Sequence, residues 1–171
     1  WQSVANAKVY AGNIADGLAA AAPAQAEAFR SGLASYRAEL DALEAEIEAT
    51  LAPIPRERRI IVTAHDAFGY YAQAYGVTFL APVGISTEAE PSAGAIARLI
   101  RQMKAENVRA VFVESIADPR MLDRIAAETG ARIGGRVYSD ALSGPDGPAP
   151  SYAAMMRHNT RAFATALGAG S

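Results

Sequence analysis

The 171-residue sequence contains no cysteine. This absence excludes disulfide bonds, thiolate metal ligands and thiol nucleophiles, and it leaves the redox compartment of the protein open. No apolar run approaches the roughly 18 residues that a membrane-spanning helix needs. The net charge is −2 and the basic residues are scattered, so the sequence has no nucleic-acid-binding footprint. A hydrophobic content of 51% with 20% charged residues is typical of a globular domain.

Motifs for common catalytic and nucleotide sites are also lacking. There is no Walker loop and no GxGxxG motif, and the pair Gly134-Gly135 lies within a predicted strand rather than after the first one. Ser86, Ser115 and Ser139 occur in loops or at strand ends, but none lies in a GxSxG setting. A nucleotide site or a serine nucleophile is therefore not indicated.

The chain begins at Trp1, without an initiator methionine or a signal peptide, and a helix is predicted almost at once, over residues 3–21. We therefore expect a processed chain or a fragment. A second helix is predicted over residues 24–52, with a length of roughly 43 Å, and Pro53 and Pro55 end it. Its single apolar stripe predicts either a rigid strut or a coiled-coil dimer. The stripe consists of Phe29, Leu33, Tyr36, Leu40, Leu43, Ile47 and Leu51.

From residue 58 onward, predicted strands alternate with predicted helices. This alternation predicts an α/β fold, a four-stranded parallel sheet flanked by helices and preceded by a long linking helix. The strands are predicted over residues 59–63, 77–83, 110–113 and 132–138.

Local signals predict where the helices begin and end. Asp66 is expected to cap the helix that follows the first strand, and Gly76 is expected to end it. Pro91 is expected in the first turn of the next helix. Asp118 is the expected cap of the following helix, which ends at Gly130.

Three polar side chains follow the strands of this predicted sheet. His65 comes after the first strand, Glu114 ends the third, and Asp140 follows the fourth. Because the carboxyl ends of parallel strands meet at one edge of the sheet, we expect these side chains to converge. An imidazole with carboxylates suits Zn²⁺ or another first-row divalent ion.

Other interpretations of these residues remain open at this point. His65, Glu114 and Asp140 could serve a small α/β metal-dependent hydrolase, or His65 could be a structural histidine that satisfies the loop backbone. The second histidine, His158, lies in the predicted last helix, within MMRHN, and is expected on the surface or in helix packing.

Five segments carry a family resemblance: TAHDAFGYYAQAYG, GISTEAEPS, VFVES, YSDAL and YAAMMRHN. In this order and spacing they resemble the C-terminal half of the periplasmic metal-binding proteins of zinc and manganese ABC importers, the ZnuA/TroA-like family. The resemblance covers nearly the whole chain. It implies a solute-binding protein rather than an enzyme, which is periplasmic or lipid-anchored outside the cell. It would deliver its metal to an ABC permease and its ATPase at the inner membrane.

The resemblance also implies a domain organisation and a role for each site residue. Residues 1–23 would be a helix from an inter-lobe junction, residues 24–55 the linking helix, and residues 56–171 the C-terminal α/β lobe. In the family the metal lies in the cleft between two lobes. His65 and Asp140 would be metal ligands, and Glu114 would support them without binding the ion itself.

The resemblance implies that the site is incomplete in this chain. The two remaining ligands in the family are histidines of the N-terminal lobe and the junction, and one of them normally comes immediately before the residue that matches Trp1. We therefore expect weak metal binding by this chain alone, and self-association through apolar surface that a missing lobe would cover. The imidazole of His65 favours Zn²⁺, with Mn²⁺ as the alternative, because relatives with a carboxylate there tend to bind manganese or iron.

Overall fold

The computed structural model describes residues 1–84, 91–116 and 118–168. Helices α1 (Val4–Ala21) and α2 (Ala26–Leu51) form an antiparallel hairpin, joined by a short 3-10 turn at Pro23–Gln25. The ammonium of Lys8 on α1 lies 2.5 Å from Asp41 and 2.6 Å from Glu44 on α2, and these ion pairs hold the hairpin together. No helix in the described ranges is long and apolar enough to cross a membrane.

The second part of the chain forms a four-stranded parallel sheet, which confirms the predicted α/β fold. Its strands are β1 (Ile60–Val62), β2 (Thr78–Leu80), β3 (Ala110–Glu114) and β4 (Arg132–Val137), and their order across the sheet is β2-β1-β3-β4. The helices that connect and follow the strands are α3 (Gly69–Tyr75), α4 (Ala93–Ala105), α5 (Arg120–Thr129) and α6 (Tyr152–Leu167).

Hydrophobic residues are buried on both faces of this sheet. Ile61 and Phe112 face a core built with α2, α3 and α6, whereas their neighbours Val62 and Val111 face a core built with α4 and α5. Successive side chains of a strand point to opposite faces, so a sheet covered on both faces requires continuous apolar runs. This requirement explains the uninterrupted Ile60–Val62 segment.

Helix α2 is anchored to the sheet domain through its second half. The apolar stripe predicted from the sequence is buried from Leu40 onward, whereas Tyr36 is exposed. On the same half, Glu46 of α2 lies 2.6 Å from the guanidinium of Arg157 and 2.8 Å from that of Arg161, both on α6. The first half of α2 therefore packs mainly against α1 and extends away from the sheet.

Arg59 fixes the end of α2 to the start of the sheet. Its side chain is buried, and each of its three guanidinium nitrogens donates one hydrogen bond, to the carbonyls of Leu51 at 2.9 Å, Ile54 at 2.9 Å and Tyr75 at 2.8 Å. The last carbonyls of a helix have no partner within the helix. One guanidinium therefore satisfies carbonyls at the ends of both α2 and α3.

The structure corrects several local predictions. Asp66 does not cap α3: Phe68 occupies the N-cap position with no side-chain bond, because the chain first turns, with the N–H of Ala67 donating to the carbonyl of His65. Pro91 lies before α4 rather than in its first turn, and Ser92 is the cap. Ser86 and most of the segment between the predicted second strand and Pro91 fall on residues 85–90, which lie outside the described residues.

Other predicted helix ends are confirmed, with one shift of position. Gly76 ends α3 in the left-handed region at φ 64°, and Gly130 ends α5 at φ 73°. Asp118 does not occupy the N-cap position of α5, which is Pro119, but its carboxylate accepts the backbone N–H of Arg120 at 3.0 Å. The predicted acidic residue therefore does serve the first turn of that helix.

Candidate metal centre

His65 lies at the carboxyl edge of the sheet, beyond the end of β1. A parallel bridge to Val83 holds its backbone in an extended form, and the hydroxyl of Thr63 donates to its carbonyl at 3.0 Å. The residue is only 4% exposed. Its imidazole is thus held at the edge of the sheet by backbone contacts on both sides.

Glu114, the last residue of β3, reaches across to the backbone of the β1 loop. Its Oε1 accepts the N–H of Ala64 at 2.9 Å and the N–H of His65 at 3.0 Å. Its Oε2 lies 2.7 Å from Nδ1 of His65, close enough for an ion pair, although the contact lacks the direction of a hydrogen bond. The side chain is fully buried, so this carboxylate interacts with the β1 loop and not with solvent.

Asp140 approaches the same imidazole from the other side. Two residues separate it from the end of β4, and its Oδ2 lies 2.9 Å from Nε2 of His65. Its side chain is 33% exposed, so this carboxylate faces the outside of the molecule while Glu114 faces the inside. The imidazole of His65 therefore lies between a buried and a partly exposed carboxylate.

The backbone that leads to Asp140 is fixed by side chains from both ends of the chain. The amide of Asn159 on α6 accepts the N–H of Tyr138 at 2.9 Å and donates to the carbonyl of the same residue at 2.7 Å. The carbonyl of Ser139 accepts the indole N–H of Trp1 at 2.7 Å and the side-chain amide of Gln2 at 3.0 Å. These contacts hold the two residues immediately before Asp140.

The start of α1 is itself held in place by two tyrosines. The hydroxyl of Tyr152 donates to the carbonyl of Trp1 at 2.8 Å, and the hydroxyl of Tyr75 accepts the N–H of Val4 at 3.1 Å. Burial raises the pKa of both phenols above its ordinary value, so both remain protonated at neutral pH. The segment that touches Ser139 is therefore positioned by neutral hydrogen bonds.

The structure brings together all three site residues predicted from the sequence. One ligand atom from each of His65, Glu114 and Asp140 can be chosen so that all lie within 4.8 Å of one another. An imidazole nitrogen with carboxylate oxygens at this spacing can hold a divalent transition-metal ion. His158 lies elsewhere, with its Nε2 2.8 Å from the carbonyl of Arg136 and its ring against Tyr138, and it serves helix packing as predicted.

Sequence reasoning missed the residues that hold the backbone before Asp140. Trp1, Gln2 and Asn159 are far from Asp140 in the sequence, and contacts between a side chain and a distant carbonyl leave no periodic or local pattern. Gln2 is only 2% exposed, although it lies near the start of the chain. Its burial could not be inferred from the sequence, because glutamine is usually exposed.

The fold and the site together define an α/β lobe with an imidazole–carboxylate centre at the carboxyl edge of a parallel sheet. The sequence profile of the ZnuA family, described as "zinc-uptake complex component A periplasmic", matches residues 1–166. The chain belongs to this family. The resemblance inferred from the five sequence segments is thereby confirmed.

Several relatives of the chain are named for the metal that they bind or transport. The chain is 32% identical over 170 residues to the iron-binding protein YfeA of Yersinia pestis, and 31% identical over 167 residues to the manganese ABC transporter substrate-binding lipoprotein PsaA of Streptococcus anginosus. Each match covers 98% of this chain and 54% of the relative. The chain thus spans about half the length of the relatives it matches.

Solved structures share the fold over the same part of the chain. The periplasmic zinc-binding protein TroA from Treponema pallidum superposes with a TM-score of 0.93 at 28% identity, covering 98% of this chain and 62% of TroA. A manganese-bound periplasmic metal-binding protein from Candidatus Liberibacter asiaticus gives a TM-score of 0.87 at 28% identity, with the same 98% and 62% coverage. The hydrolase hypothesis finds no support among these proteins, since the family is one of substrate-binding proteins of ABC importers and not of enzymes.

Proposed function

We propose that this chain is the C-terminal part of a solute-binding protein that captures a divalent transition metal and delivers it to an ABC permease. The observation that carries the proposal is the 2.9 Å contact between Nε2 of His65 and Oδ2 of Asp140. Two potential ligand atoms on neighbouring loops lie at hydrogen-bonding distance, and they need to separate by only about 0.5 Å to reach the roughly 3.3–3.6 Å between two ligands that are each about 2.0–2.2 Å from one tetrahedral ion. In this proposal His65 and Asp140 bind the ion directly.

Glu114 supports His65 in this proposal and does not bind the ion. Its Oε1 is occupied by two backbone N–H groups, and its Oε2 faces Nδ1 of His65. A carboxylate beside one ring nitrogen of a metal-binding histidine favours the proton on that nitrogen and leaves the other free to bind the metal. The arrangement therefore presents Nε2 of His65, rather than Nδ1, to the ion.

We propose Zn²⁺ as the captured ion. The imidazole nitrogen of His65 is a softer ligand than a carboxylate oxygen, and Zn²⁺ accepts nitrogen more readily than Mn²⁺ does. The family description and the name of TroA point to zinc, whereas YfeA and PsaA are named for iron and manganese. Mn²⁺ is accordingly the competing ion in every test of the metal.

The names of the relatives support a proposal for the partners and the location. PsaA is named a substrate-binding lipoprotein of an ABC transporter, and TroA is named periplasmic. We propose that the whole protein is periplasmic, or lipid-anchored outside the cell, and docks on a permease and its ATPase at the inner membrane. The process is binding and release, without a catalysed reaction.

The domain division predicted from the sequence becomes part of this proposal. Residues 56–171 would form the C-terminal lobe, residues 24–55 the linking helix, and residues 1–23 a helix of the junction to a missing N-terminal lobe. That lobe and the junction would supply the remaining ligands. Because this chain offers only His65 and Asp140 as ligands, we expect it to bind Zn²⁺ far more weakly than the complete protein does.

Calorimetric titration with Zn²⁺ and Mn²⁺ tests the proposal. His65→Ala and Asp140→Ala should each abolish or strongly weaken the Zn²⁺ binding of the chain, whereas His158→Ala, a matched loss of an imidazole, should leave it unchanged. Equal affinity of the wild type and both site variants would overturn the assignment of the ligands. Comparable tight affinity in this chain and in the complete protein would overturn the proposed half-site.

Self-association is a separate part of the proposal. Helix α1 leaves Val9, Tyr10, Ile14 and Leu18 exposed at 45–61% of their surface, and Tyr10, Ile14 and Leu18 recur at the four-residue spacing of one helical face. A continuous apolar stripe of this kind favours association. Sedimentation velocity at increasing concentration should show a dimer fraction that Ile14→Lys removes, and a monomer at all concentrations would refute it.

A further inference from the structure

We propose that Trp1 and Gln2 are positioning residues for Asp140 and act on it through the carbonyl of Ser139. This inference rests on the proposed function, because Asp140 is a metal ligand only if that proposal holds. It adds a role that the ligand set alone does not contain. Two residues just before α1 would set the position of a ligand that is more than 130 residues away in the sequence.

The first observation is that two side-chain donors converge on one carbonyl. The indole N–H of Trp1 donates to the carbonyl of Ser139 at 2.7 Å, and the amide of Gln2 donates to the same oxygen at 3.0 Å. Ser139 is fully buried and Gln2 is 2% exposed, so water does not compete for this oxygen. A carbonyl with two donors in a buried place is fixed in direction more firmly than one with a single donor.

The second observation is that this carbonyl is the last fixed point before the ligand. On the side of β4, Asn159 holds both backbone groups of Tyr138. On the other side, one third of the Asp140 side chain is exposed, and within the described residues its carboxylate makes a side-chain hydrogen bond only with His65. The peptide plane between Ser139 and Asp140 therefore sets the direction in which the Asp140 carboxylate leaves the chain.

The two ligands thus have separate supports. Glu114 on β3 holds the loop of His65 through two backbone N–H groups, whereas Trp1 and Gln2 hold the loop of Asp140 through one carbonyl. The support of Asp140 comes from the two residues before Ser3, the N-cap of α1, and this segment is itself held on the fold by Tyr75 and Tyr152. By linkage, an ion that requires the supported position of Asp140 must in turn favour the contacts of Trp1 and Gln2 with Ser139.

The variants Trp1→Phe and Gln2→Met, made together, test this inference in the metal-free and metal-titrated chain. Each removes the donor and keeps a side chain of similar size. We expect the double variant to bind Zn²⁺ about tenfold more weakly than the wild type, at the lower end of the ~10–100-fold losses seen for groups that orient a ligand. In an Asp140→Ala background the same pair of substitutions should leave the ¹⁵N shift of Nε2 of His65 unchanged, because the residue that they position is gone.

A matched control separates positioning from general loosening of α1. Ser3 caps α1 by accepting the N–H of Asn6 and makes no bond to Ser139, so Ser3→Ala should lower the melting temperature without changing Zn²⁺ affinity. If Ser3→Ala weakens Zn²⁺ binding as much as the double variant does at an equal loss of melting temperature, the positioning role is refuted. Unchanged affinity in the double variant refutes it as well.

A measurement without metal keeps this inference separate from the proposed function. At fixed pH, the ¹⁵N shift of Nε2 of His65 reports its contact with Asp140. We expect the shift in the double variant to move toward that in Asp140→Ala, while Ser3→Ala keeps the wild-type shift. If the wild type binds no metal but the shift moves, the metal proposal fails and the positioning role stands; a wild-type shift in the double variant overturns the positioning role.

Discussion

Glu114 contacts His65 at two points, accepting its backbone N–H at 3.0 Å with Oε1 and lying 2.7 Å from its Nδ1 with Oε2. One buried carboxylate therefore fixes both the loop and the ring of the imidazole. The distribution of protons between the ring nitrogens then depends on this residue, because a carboxylate accepts and does not donate.

Replacing Glu114 with glutamine should impair metal binding while keeping the size of the side chain. Whichever way the amide is placed, a donor faces a donor: either its NH₂ meets the N–H groups of Ala64 and His65, or it meets a protonated Nδ1. We expect Zn²⁺ affinity to fall by about 10–100-fold in calorimetric titrations. Thermal unfolding of the same variant serves as the control for folding, and unchanged affinity in a folded variant would contradict the supporting role of Glu114.

Replacing His65 with glutamate should change the metal preference of the complete protein. The substitution exchanges a nitrogen ligand for an oxygen ligand, which suits Mn²⁺ better than Zn²⁺. We expect the ratio of Zn²⁺ to Mn²⁺ affinity to fall by on the order of tenfold, or about 1.4 kcal/mol. Competition titrations with both ions measure this ratio directly. A ratio equal to that of the wild type would show that residue 65 does not set the preference between Zn²⁺ and Mn²⁺.

Replacing Arg59 with methionine should destabilise the fold strongly. The substitution leaves the buried carbonyls of Ile54 and Tyr75 without their donor, whereas the carbonyl of Leu51 still accepts the N–H of Ile54. At about 1–3 kcal/mol for each unsatisfied buried group, the free energy of unfolding should fall by about 2 kcal/mol or more. Urea denaturation measures it. The neighbouring exposed Arg58 provides the matched control, since Arg58→Met should change the free energy by no more than about 0.5 kcal/mol.

Glu46 should make the stability of the protein depend on pH in the acidic range. Hydrogen bonds from Arg157 and then Arg161 hold the pKa of its carboxyl below the ordinary value of 4.5. Because the pKa is lower in the folded state, this stabilisation is fully present above about pH 4.5 and is lost as the pH falls through the folded-state pKa. Solvent screens the carboxylate, which is about one third exposed, so the contribution should be below about 1 kcal/mol.

A comparison with Glu46→Gln isolates this contribution. The free energies of urea unfolding of the wild type and the variant should differ at pH 7 and approach each other as the pH falls below 4.5 and the wild-type carboxyl takes up its proton. Other titrating groups are common to both proteins and cancel in the difference. A gap that stays constant between pH 7 and pH 3 would show that the α2–α6 ion pairs do not depend on the charge of Glu46.

The sequence allowed the sheet and the site to be predicted because both follow from local patterns. Apolar runs identified the strands, and parallel strands oblige the residues after them to share an edge, which brought His65, Glu114 and Asp140 together. The prediction of Asp66 as a helix cap was wrong because the bridge from His65 to Val83 continues the extended backbone past β1 and delays the start of α3. Tertiary pairing there overrode a local signal.

The surroundings of the site could not be predicted in the same way. The donors to Ser139 come from Trp1 and Gln2, and nothing in their sequence neighbourhood marks them as partners of β4. Which face of α1 is exposed could not be predicted either. The small residues Ala7, Gly12 and Ala15 pack against the rest of the molecule, whereas Ile14 and Leu18 are exposed. Periodicity of large apolar residues alone would place the wrong face inside.

Anomalous diffraction at the zinc edge, from crystals of the chain grown with Zn²⁺, shows whether His65 and Asp140 bind one ion. We expect an anomalous peak about 2.0–2.2 Å from Nε2 of His65 and from a carboxylate oxygen of Asp140. Glu114 should stay outside the coordination sphere and keep its contacts to the backbone of Ala64 and His65. Zinc bound only at other side chains, with His65 and Asp140 still in direct contact, would show that these two residues are not the ligands.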